Sequence, residues 1–199
     1  MQPKVIPAVI TKNLKRGGIG VLPTDTMYGI VGRALNKKTV ERIYVFRKRN
    51  PKKPMIILIA HVGDVARFGV ALDAQTKKIL DHVWPGKVSV VLPQSVGNKK
   101  LVKKFRYLHR GTRSLAFRLP EPAWLRALLL KTGPLVAPSA NFEGRPPART
   151  VKEAKRYFGD KVQFYVDIGR LASKPSTLVA AERGIIRVLR PGAVNIDKL

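Results

Sequence analysis

Hydroxyl, cationic and proline side chains gather in short clusters, each next to the end of a predicted β-strand. The clusters are Pro23–Gly29 (PTDTMYG), Arg47–Pro54 (RKRNPKKP), Ser114–Arg118 (SLAFR), Pro138–Asn141 (PSAN) with Arg145–Pro147, Pro175–Thr177 and Arg190–Gly192. Ligands of open α/β sheets bind outside strand ends, so clusters from distant parts of the chain can meet in one crevice. Cations and neutral hydroxyls suit an anionic substrate that needs charge neutralisation and positioning. This chemistry favours phosphoryl or nucleotidyl transfer.

Carboxylates are scarce around these clusters. Only Asp25, Glu143 and Asp167 lie close to one in the sequence, which argues against a hydrolase built on paired carboxylates. Each cluster alone also fits an ordinary structural role as a turn, a chain reversal or a helix cap. Their combination and order, rather than any single cluster, predict a functional site.

The chain is strongly basic. It has 199 residues, of which 39 are Lys or Arg and 12 are Asp or Glu, so its formal net charge is +27. Segments 47–53 and 99–113 contain many cations and no acid. A charge run is usually a solvated face, but a total of this size repels itself and favours a polyanionic partner.

The aromatic residues of segment 99–113 allow two interpretations. Phe105, Tyr107 and His109 alternate with cations, as in surfaces on which nucleic-acid bases stack. The helical spacing of the apolar residues predicts instead that they face the core; these residues are Leu101, Val102, Phe105 and Leu108.

Composition excludes several classes of site. The chain has no cysteine and three histidines, which excludes a disulfide scaffold and a thiolate zinc site and argues against a histidine metal cage. A P-loop is absent, because Asp81 stands where the first glycine before Gly86 and Lys87 is required.

No apolar stretch approaches the ~20 residues of a membrane span, and the N-terminus does not resemble a secretory signal. We therefore expect a cytoplasmic protein without a membrane partner.

Short β-type runs alternate with amphipathic segments, the pattern of an α/β sheet covered by helices. The predicted strands are Gly20–Pro23, Met55–Ala60, Val88–Leu92, Ser114–Leu119, Leu135–Ala137, Val162–Asp167, Thr177–Ala181 and Ile185–Leu189. The predicted helices are Thr39–Arg49, Asp73–Trp84, Pro122–Leu130 and Val151–Phe158. Thr150 is a predicted N-cap that forms a capping box with Glu153. Without repeats or linkers, residues 1–199 are expected to form a single domain.

The clusters and their order resemble those of the YrdC (TsaC) family, the threonylcarbamoyl-AMP synthases of tRNA modification. The similarity runs from about Gly17 to Gly192 and includes PTDTMYG, WPGKVSVVLP, SLAFRLP, VAPSANFEGRPP, PST and VLRPG. It implies an α/β fold in which a twisted mixed sheet has flanking helices and an open basic cleft on one face. It also implies the short, single-domain form of the family.

The resemblance implies two groups of site residues. The residues expected to line a threonine pocket are Thr24, Arg118 and Ser176. Those expected to touch ATP are Arg47, Arg49, Lys53, Ser114, Ser139, Asn141, Pro147 and Arg190. Arg47 and Arg49 fall on the family's KxR signature and are the expected catalytic residues. Mg²⁺ is expected to be carried by ATP, with no metal ligated by the protein.

Three of the departures from the family pattern bear on the expected site; two others, Ser89 for threonine and Phe117 for valine, keep the hydroxyl and change the packing, respectively. Arg47 stands where most relatives have lysine, which exchanges an ammonium for a planar guanidinium. Asn50 replaces the proline that follows the signature, so a shifted register that uses Lys48 is an alternative. Leu58 stands where some longer relatives carry a polar contact to threonine.

The implied reaction forms threonylcarbamoyl-AMP and pyrophosphate from L-threonine, bicarbonate and ATP. The short form is expected to pass its product to a separate threonylcarbamoyl transferase complex, which acts on tRNA. One alternative is a protein of the same fold that binds tRNA or double-stranded RNA without this activity. Another is a YciO-like paralogue, which Ser139 and Asn141 argue against and the altered KxR signature allows. Turnover of ATP that depends on threonine and bicarbonate separates synthesis from salt-sensitive RNA binding alone.

Overall fold

A computed structural model describes residues 7–196, which form one mixed sheet with helices on both faces. Its strands are β1 (Gly20–Pro23), β2 (Tyr28–Arg33), β3 (Ile57–Leu58), β4 (Val88–Pro93), β5 (Ser114–Arg118), β6 (Leu135–Val136), β7 (Phe164–Tyr165), β8 (Thr177–Glu182) and β9 (Ile185–Arg190). The α-helices are α1 (Ala8–Lys15), α2 (Lys37–Phe46), α3 (Ala74–Val83), α4 (Lys99–Lys104), α5 (Arg106–His109), α6 (Ala123–Thr132) and α7 (Val151–Phe158). Two 3₁₀ helices span Val62–Phe68 and Gly159–Lys161.

The strand order is β7-β1-β2-β6-β3-β5-β4-β8-β9. Parallel pairs join β1 to β7, β3 to β5 and β4 to β8, and the other neighbours are antiparallel. The predicted mixed α/β sheet is therefore confirmed.

One face of the sheet is covered along nearly its whole width. Side chains of α2, α3, α5, α7 and the first 3₁₀ helix join alternate strand residues in a large apolar cluster. Phe68, Phe105 and Phe117 lie at its centre, with ring centroids 5.2 and 5.4 Å from that of Phe68. This continuous core fixes the strands that carry the functional side chains.

The opposite face is covered only over half of its width. Leu14 of α1 and Leu129 of α6 pack with Leu22, Val31 and Leu135 in a second apolar cluster. Within the described part of the chain, this cluster contains no residue of β4, β5, β8 or β9. Side chains of these strands on this face are thus free to line a cavity.

Side-chain caps fix several helix starts. The carboxylate of Asp73 accepts a hydrogen bond from the Thr76 amide at 2.7 Å, so α3 begins as the sequence predicts. The predicted Thr150 cap is confirmed, because its hydroxyl accepts from the Glu153 amide at 3.2 Å. Glu153 departs from a capping box, since its carboxylate accepts from the Arg149 amide rather than from that of Thr150.

Strand β2, helix α1 and the two 3₁₀ helices were not predicted from sequence, and α4 and α5 were indicated only by the helical spacing within segment 99–113. Strand β2 contains Gly29 and Gly32, and glycine weakens a strand pattern. Gly32 is nevertheless required there, because a Cβ would lie 2.4 Å from a methyl group of Thr39 on α2. Helix α1 begins after Pro7 and buries only Ile10 and Leu14, so its apolar periodicity is short.

Several predicted boundaries were too wide. Strands β3 and β7 are two residues each and shorter than predicted. β6 also ends one residue early, at Val136, whereas α6 begins at Ala123 and extends two residues past the predicted end to Thr132. Helix α2 ends at Phe46 because Lys48 adopts a left-handed φ of 50°, which stops helical hydrogen bonding before Arg49.

Segment 99–113 packs its aromatic residues inward. Phe105, Tyr107 and His109 are buried, so the base-stacking interpretation is wrong. The prediction from helical spacing is confirmed for Phe105 and Leu108, whereas Leu101 and Val102 are half-buried. Among residues 7–196, no helix is long and apolar enough to span a membrane.

Candidate active site

Two adjoining cavities lie where the uncovered half of the sheet meets the polar clusters. The larger has a volume of about 310 Å³ and the smaller about 70 Å³. Ile56, Pro138, Ser139 and Arg190 line both, so the cavities share a wall. Among the described residues, neither lining contains a carboxylate. The combined space is suited to an anionic ligand with two parts.

The larger cavity has a cationic wall and an apolar floor. Arg47, Arg49 and Arg190 supply the cations. Val91 and Ala116 belong to the uncovered sheet face, and Ser114 and Thr112 add hydroxyls at its rim. Such a surface can hold phosphates on one side and a flat apolar group on the other.

Arg47 is buried, with 3% of its surface exposed, and is held in place by the PSAN segment. Its Nε donates to the carbonyl oxygen of Asn141 at 3.1 Å, and its Nη2 donates to Asn141 Oδ1 at 3.1 Å and Ser139 Oγ at 3.2 Å. Its Nη1 is buried and has no partner among the described residues. Burial, followed by the charge of Arg49, lowers the pKa of Arg47 to about 10, so it stays cationic at neutral pH. The guanidinium therefore keeps one donor for a ligand.

Arg49 and Arg190 are fixed by backbone carbonyls. Arg49 donates to the carbonyl oxygens of Lys53 at 3.1 Å and Pro54 at 2.7 Å. Arg190 Nη2 donates to the carbonyl oxygen of Ser176 at 2.9 Å. Burial, then the charge of Arg49, lowers the pKa of Arg190, and both residues line the larger cavity. Because these acceptors are neutral carbonyl groups, the protein does not neutralise the positive charges of Arg49 and Arg190.

The smaller cavity is built around Arg118, which is 4% exposed at the end of β5. Its Nη2 lies 3.1 Å from Asp25 Oδ1 in a buried ion pair. Burial lowers the pKa of Arg118 and the Asp25 charge opposes that shift. Its Nε lacks a partner among residues 7–196, so a donor is available here as well.

A chain of hydroxyls runs beside Arg118. Arg118 Nη1 donates to Thr26 Oγ1 at 3.3 Å, and Thr26 Oγ1 lies 3.1 Å from Thr24 Oγ1. Since Thr24 donates its only hydroxyl proton to the carbonyl oxygen of Met27 at 2.8 Å, Thr26 must donate to Thr24. The orientation of Arg118 is thus coupled to the turn that carries Thr24.

Ser176 completes this wall from the far edge of the sheet. Ser176 is 2% exposed, and its hydroxyl lies 2.8 Å from that of Ser89 on β4. The turn after Arg190 packs closely against it, because a Cβ at Gly192 would lie 2.4 Å from the carbonyl oxygen of Pro175. A residue larger than glycine would push these two strand ends apart.

Most of the sequence-predicted site residues meet in these cavities. The residues that line one or both are Thr24, Arg47, Arg49, Ser114, Arg118, Ser139, Ser176 and Arg190. Asn141 lines neither and lies behind Arg47, and the exposed Pro147 also lies outside them. Lys53 is outside too, since its Nζ pairs with Glu143 Oε1 at 2.8 Å. The Nζ of Lys48 lies 4.8 Å from the centroid of the Phe142 ring, outside both cavities. Of these two adjacent cations, Arg47 is therefore the one that lines the larger cavity.

Sequence reasoning missed two contributors. Thr26 lines the smaller cavity and accepts from Arg118, and Thr112 lines the larger one. Thr26 lies within the PTDTMYG motif, so its position was a signal, but the direction of its hydrogen bonds depends on the folded structure.

The donor set does not suit a protein-held metal. The cavities offer guanidinium groups and hydroxyls, whereas divalent cations prefer carboxylate and imidazole ligands. Among the residues whose placement is described, no group of three His, Asp or Glu side chains could hold a metal ion.

Fold and cavities together define an α/β protein with an arginine-rich site for an anionic ligand. The Sua5/YciO/YrdC family model, described as telomere recombination, matches residues 12–192. This chain belongs to that family.

Similar proteins are spread across archaea and bacteria. A protein of Methanocaldococcus jannaschii is 31% identical over 197 residues, covering 98% of this chain and 90% of its own. A Marinobacter nauticus protein named threonylcarbamoyl-AMP synthase is 34% identical over 176 residues, covering 86% and 89%. The crystal structure of Pyrococcus abyssi Sua5 complexed with L-threonine has a TM-score of 0.84 at 25% identity and covers 96% of this chain and 55% of its own. Escherichia coli YciO, with a TM-score of 0.80 at 20% identity over 94% and 89%, shares the fold.

Proposed function

We propose that this protein is an L-threonylcarbamoyladenylate synthase, a nucleotidyltransferase that uses L-threonine, bicarbonate and ATP. The observation that carries the proposal is the junction of an arginine-lined cavity with a smaller one built around Arg118. Relatives named threonylcarbamoyl-AMP synthase and the threonine complex of a Sua5 protein support it.

The reaction brings anions together, which is the physical problem the site must solve. The threonine amine attacks the carbon of bicarbonate and water leaves, giving a carbamate. A carbamate oxygen then attacks the α-phosphorus of ATP, and the bond from that phosphorus to the bridging oxygen of pyrophosphate breaks. Negative charge accumulates on the leaving pyrophosphate, so fixed cations lower the barrier.

In this proposal the larger cavity holds the triphosphate. Arg47 presents its unpartnered Nη1, while Arg49 and Arg190 stand on the same wall with neutral carbonyl partners. Because their hydrogen bonds to the protein are already made, these cations need little reorganisation when charge develops. Ser114 and Ser139 add hydroxyl donors, and Val91 and Ala116 offer an apolar surface to the nucleobase.

The smaller cavity holds threonine in this proposal. Arg118 binds its carboxylate with the available Nε donor, and Asp25 keeps the guanidinium in position. Thr24, Thr26 and Ser176 surround the rest of the amino acid. Thr24 Oγ1 donates to the Met27 carbonyl oxygen and accepts from Thr26, so its role is to hold the turn that faces the ligand.

We further propose a metal ion, a cellular compartment and a partner complex for the reaction. Mg²⁺ enters on the phosphates of ATP and keeps most of its waters, in line with a donor set that suits phosphate. The protein acts in the cytoplasm and passes threonylcarbamoyl-AMP to a separate transferase complex that modifies tRNA. Asn141 supports this site by holding Arg47, and Lys53 and Pro147 are expected to reach ATP only if the 141–147 loop closes over it.

The test is release of pyrophosphate from ATP by the purified protein, with threonine or bicarbonate omitted in turn. Release should require both. Charge reversal by Arg49→Glu or Arg118→Glu should abolish it, while Arg42→Glu on the exposed face of α2 provides a matched control. Full activity in both cavity variants would overturn the assignment.

A further inference from the structure

The rim of the larger active-site cavity includes a turn, residues 110–114, that joins α5 to β5; we call it the rim turn. Its hydroxyl residues Thr112 and Ser114 line the cavity. Two of its other residues, Arg110 and Arg113, have left-handed φ values of 53° and 55°. Because this conformation is costly for residues other than glycine, contacts from outside the turn are needed to hold it.

The buried imidazole of His109 provides such contacts. His109 is 3% exposed, and its Nδ1 accepts hydrogen bonds from the amides of Gly111 at 3.0 Å and Arg113 at 3.4 Å. On the other side of the ring, Nε2 lies 3.0 Å from the carbonyl oxygen of Val102 on α4. A single side chain therefore ties two amides of the rim turn to a preceding helix.

These contacts fix the protonation state of the imidazole. A backbone amide can only donate, so Nδ1 presents a lone pair to Gly111 and Arg113. Nε2 consequently carries the proton and donates it to the Val102 carbonyl oxygen. A second proton would go to Nδ1, where it would face the two amide hydrogens and break both hydrogen bonds. The observed rim turn is therefore compatible only with a neutral His109.

His109 also positions the cavity hydroxyls through its backbone. Its carbonyl oxygen accepts from the Thr112 amide at 2.9 Å and from the Thr112 hydroxyl at 2.7 Å. The Ser114 hydroxyl in turn donates to Thr112 Oγ1 at 3.3 Å, and the Ser114 amide donates to the same atom at 3.4 Å. The directions of both hydroxyls thus depend on the conformation of the rim turn.

The charged groups around His109 would not compensate a second proton. The imidazole shares the lining of a cavity beside α4 and α5 with four cations, and among the described residues no carboxylate lines that cavity. These cations are Lys99 and Lys103 of α4, Arg106 of α5 and Arg113 of the rim turn. From α2, the Glu41 carboxylate is paired with Arg110 at 3.0 Å. The adjacent ends of β4 and β5 carry the uncharged Pro93 and Ser114. Protonation of His109 would therefore add a positive charge beside four others.

We propose that His109 is a positioning residue for ATP and makes ATP binding sensitive to pH. This inference rests on the proposed binding of ATP in the larger cavity. The neutral imidazole holds the rim turn so that Thr112 and Ser114 present their hydroxyls to the ligand. A proton at Nδ1 detaches the two amides, and the strained backbone then relaxes. Histidine is the side chain that ordinarily changes its charge between pH 5 and 8, so the affinity for ATP should fall as the pH is lowered through this range.

The test uses two variants that each keep one half of the imidazole. The side-chain oxygen of asparagine matches the position of Nδ1, so His109→Asn retains an acceptor for the rim turn and cannot titrate. The side-chain nitrogen of glutamine matches Nε2, so His109→Gln retains only the donor to Val102. The control, His82→Asn at an exposed position of α3, removes a different histidine. Binding of ATP with Mg²⁺ is measured by titration calorimetry from pH 8 to pH 5, without threonine or bicarbonate.

The unmodified protein and His109→Asn should bind ATP equally at pH 8, whereas at pH 5 the Kd of the unmodified protein should be about 10-fold higher. His109→Gln should show a loss of about 10-fold relative to His109→Asn at every pH, and His82→Asn should follow the unmodified protein. Protonation of ATP itself cancels in these comparisons, because all the proteins receive the same ligand. Equal pH profiles for the unmodified protein and His109→Asn, or equal affinities of the two His109 variants at pH 8, would overturn the proposal.

Nuclear magnetic resonance of the unmodified protein tests the proposal even if a variant does not fold. At pH 8, long-range proton–nitrogen spectra should show His109 with a proton on Nε2 and none on Nδ1. On acidification, the amides of Gly111 and Arg113 should lose their protection from hydrogen exchange. A proton on Nδ1 at pH 8, or amide protection that is unchanged at pH 5, would contradict the proposal.

These measurements also separate this inference from the proposed synthase activity. ATP binding with the expected pH profiles, but without pyrophosphate release that depends on threonine, would overturn the synthase and support the role of His109. The absence of ATP binding at every pH would overturn both.

Discussion

Replacement of Arg47 by methionine tests the role of the residue at which this chain departs most clearly from the YrdC pattern. Arg47→Met keeps an unbranched, apolar stem and removes the guanidinium. The matched variant is Lys48→Met, because it removes one charge at the next residue, whose side chain lies over Phe142 and outside both cavities. A comparison of the two variants shows whether Arg47 or Lys48 takes the role of the family's lysine.

The expected loss can be worked out from the contacts of Arg47. Removal of one positioned donor to the developing charge typically costs 10²–10³ in rate, or about 2.7–4 kcal/mol. The substitution also removes three hydrogen bonds to Ser139 and Asn141 and leaves the two Asn141 acceptors without their donor. Relief of the buried charge offsets part of this, so the free energy of unfolding should fall by roughly 1–3 kcal/mol. Lys48→Met loses a cation–π contact worth about 0.5–1 kcal/mol.

The assay is threonine-dependent pyrophosphate release, with kcat/KM for ATP measured at saturating threonine and bicarbonate, together with urea unfolding. Arg47→Met should lose about 10²–10³ in kcat/KM, and Lys48→Met should stay within about twofold of the unmodified protein. Arg47→Lys should recover a large part of the activity because it restores the charge. The reasoning is refuted if Lys48→Met loses the activity and Arg47→Met does not.

Three further predictions follow from hydrogen bonds at the rim of the site. Thr26→Val removes the acceptor of Arg118 Nη1 and should raise the KM for threonine about 10-fold with the KM for ATP unchanged; an equal rise in both would contradict the separate threonine pocket. Ser89→Ala leaves the buried Ser176 hydroxyl without its partner, and the free energy of unfolding in urea should fall by about 1 kcal/mol. The hydrogen bond and charge of a neighbouring lysine hold the pKa of Glu143 below its usual range, so the folded state favours the charged form and this stabilisation is lost as the pH falls. The free energy of unfolding in urea should therefore fall less towards pH 4 in a Glu143→Gln variant than in the unmodified protein, and equal falls in the two proteins would contradict the pairing of Glu143 with Lys53.

The order of the elements could be predicted from the sequence because turn chemistry and apolar runs mark strand ends. Strand β2 was missed for the opposite reason, since Gly29 and Gly32 weaken the strand pattern although Gly32 is needed for close packing against α2. The short β3 and β7 show that an apolar run gives the position of a strand better than its length, because pairing partners set where the ladder stops.

The candidate site could be predicted as a set of residue types but not as a network. The order of the motifs identified Arg47 and Arg118 as site residues. The sequence does not show that Arg47 donates to the backbone and side-chain oxygens of Asn141, or that Arg118 pairs with Asp25. The direction of the hydrogen bonds from Arg118 through Thr26 to Thr24 depends on the position of the Met27 carbonyl oxygen, which accepts from Thr24. Such directions arise from tertiary packing, which a linear motif does not encode.

The most direct measurement is a crystal structure of the protein with L-threonine and a non-hydrolysable ATP analogue. We predict that the triphosphate lies against Arg47, Arg49 and Arg190 and that the threonine carboxylate binds Arg118. Phosphates bound elsewhere on the protein, with the two adjoining cavities empty, would contradict this prediction.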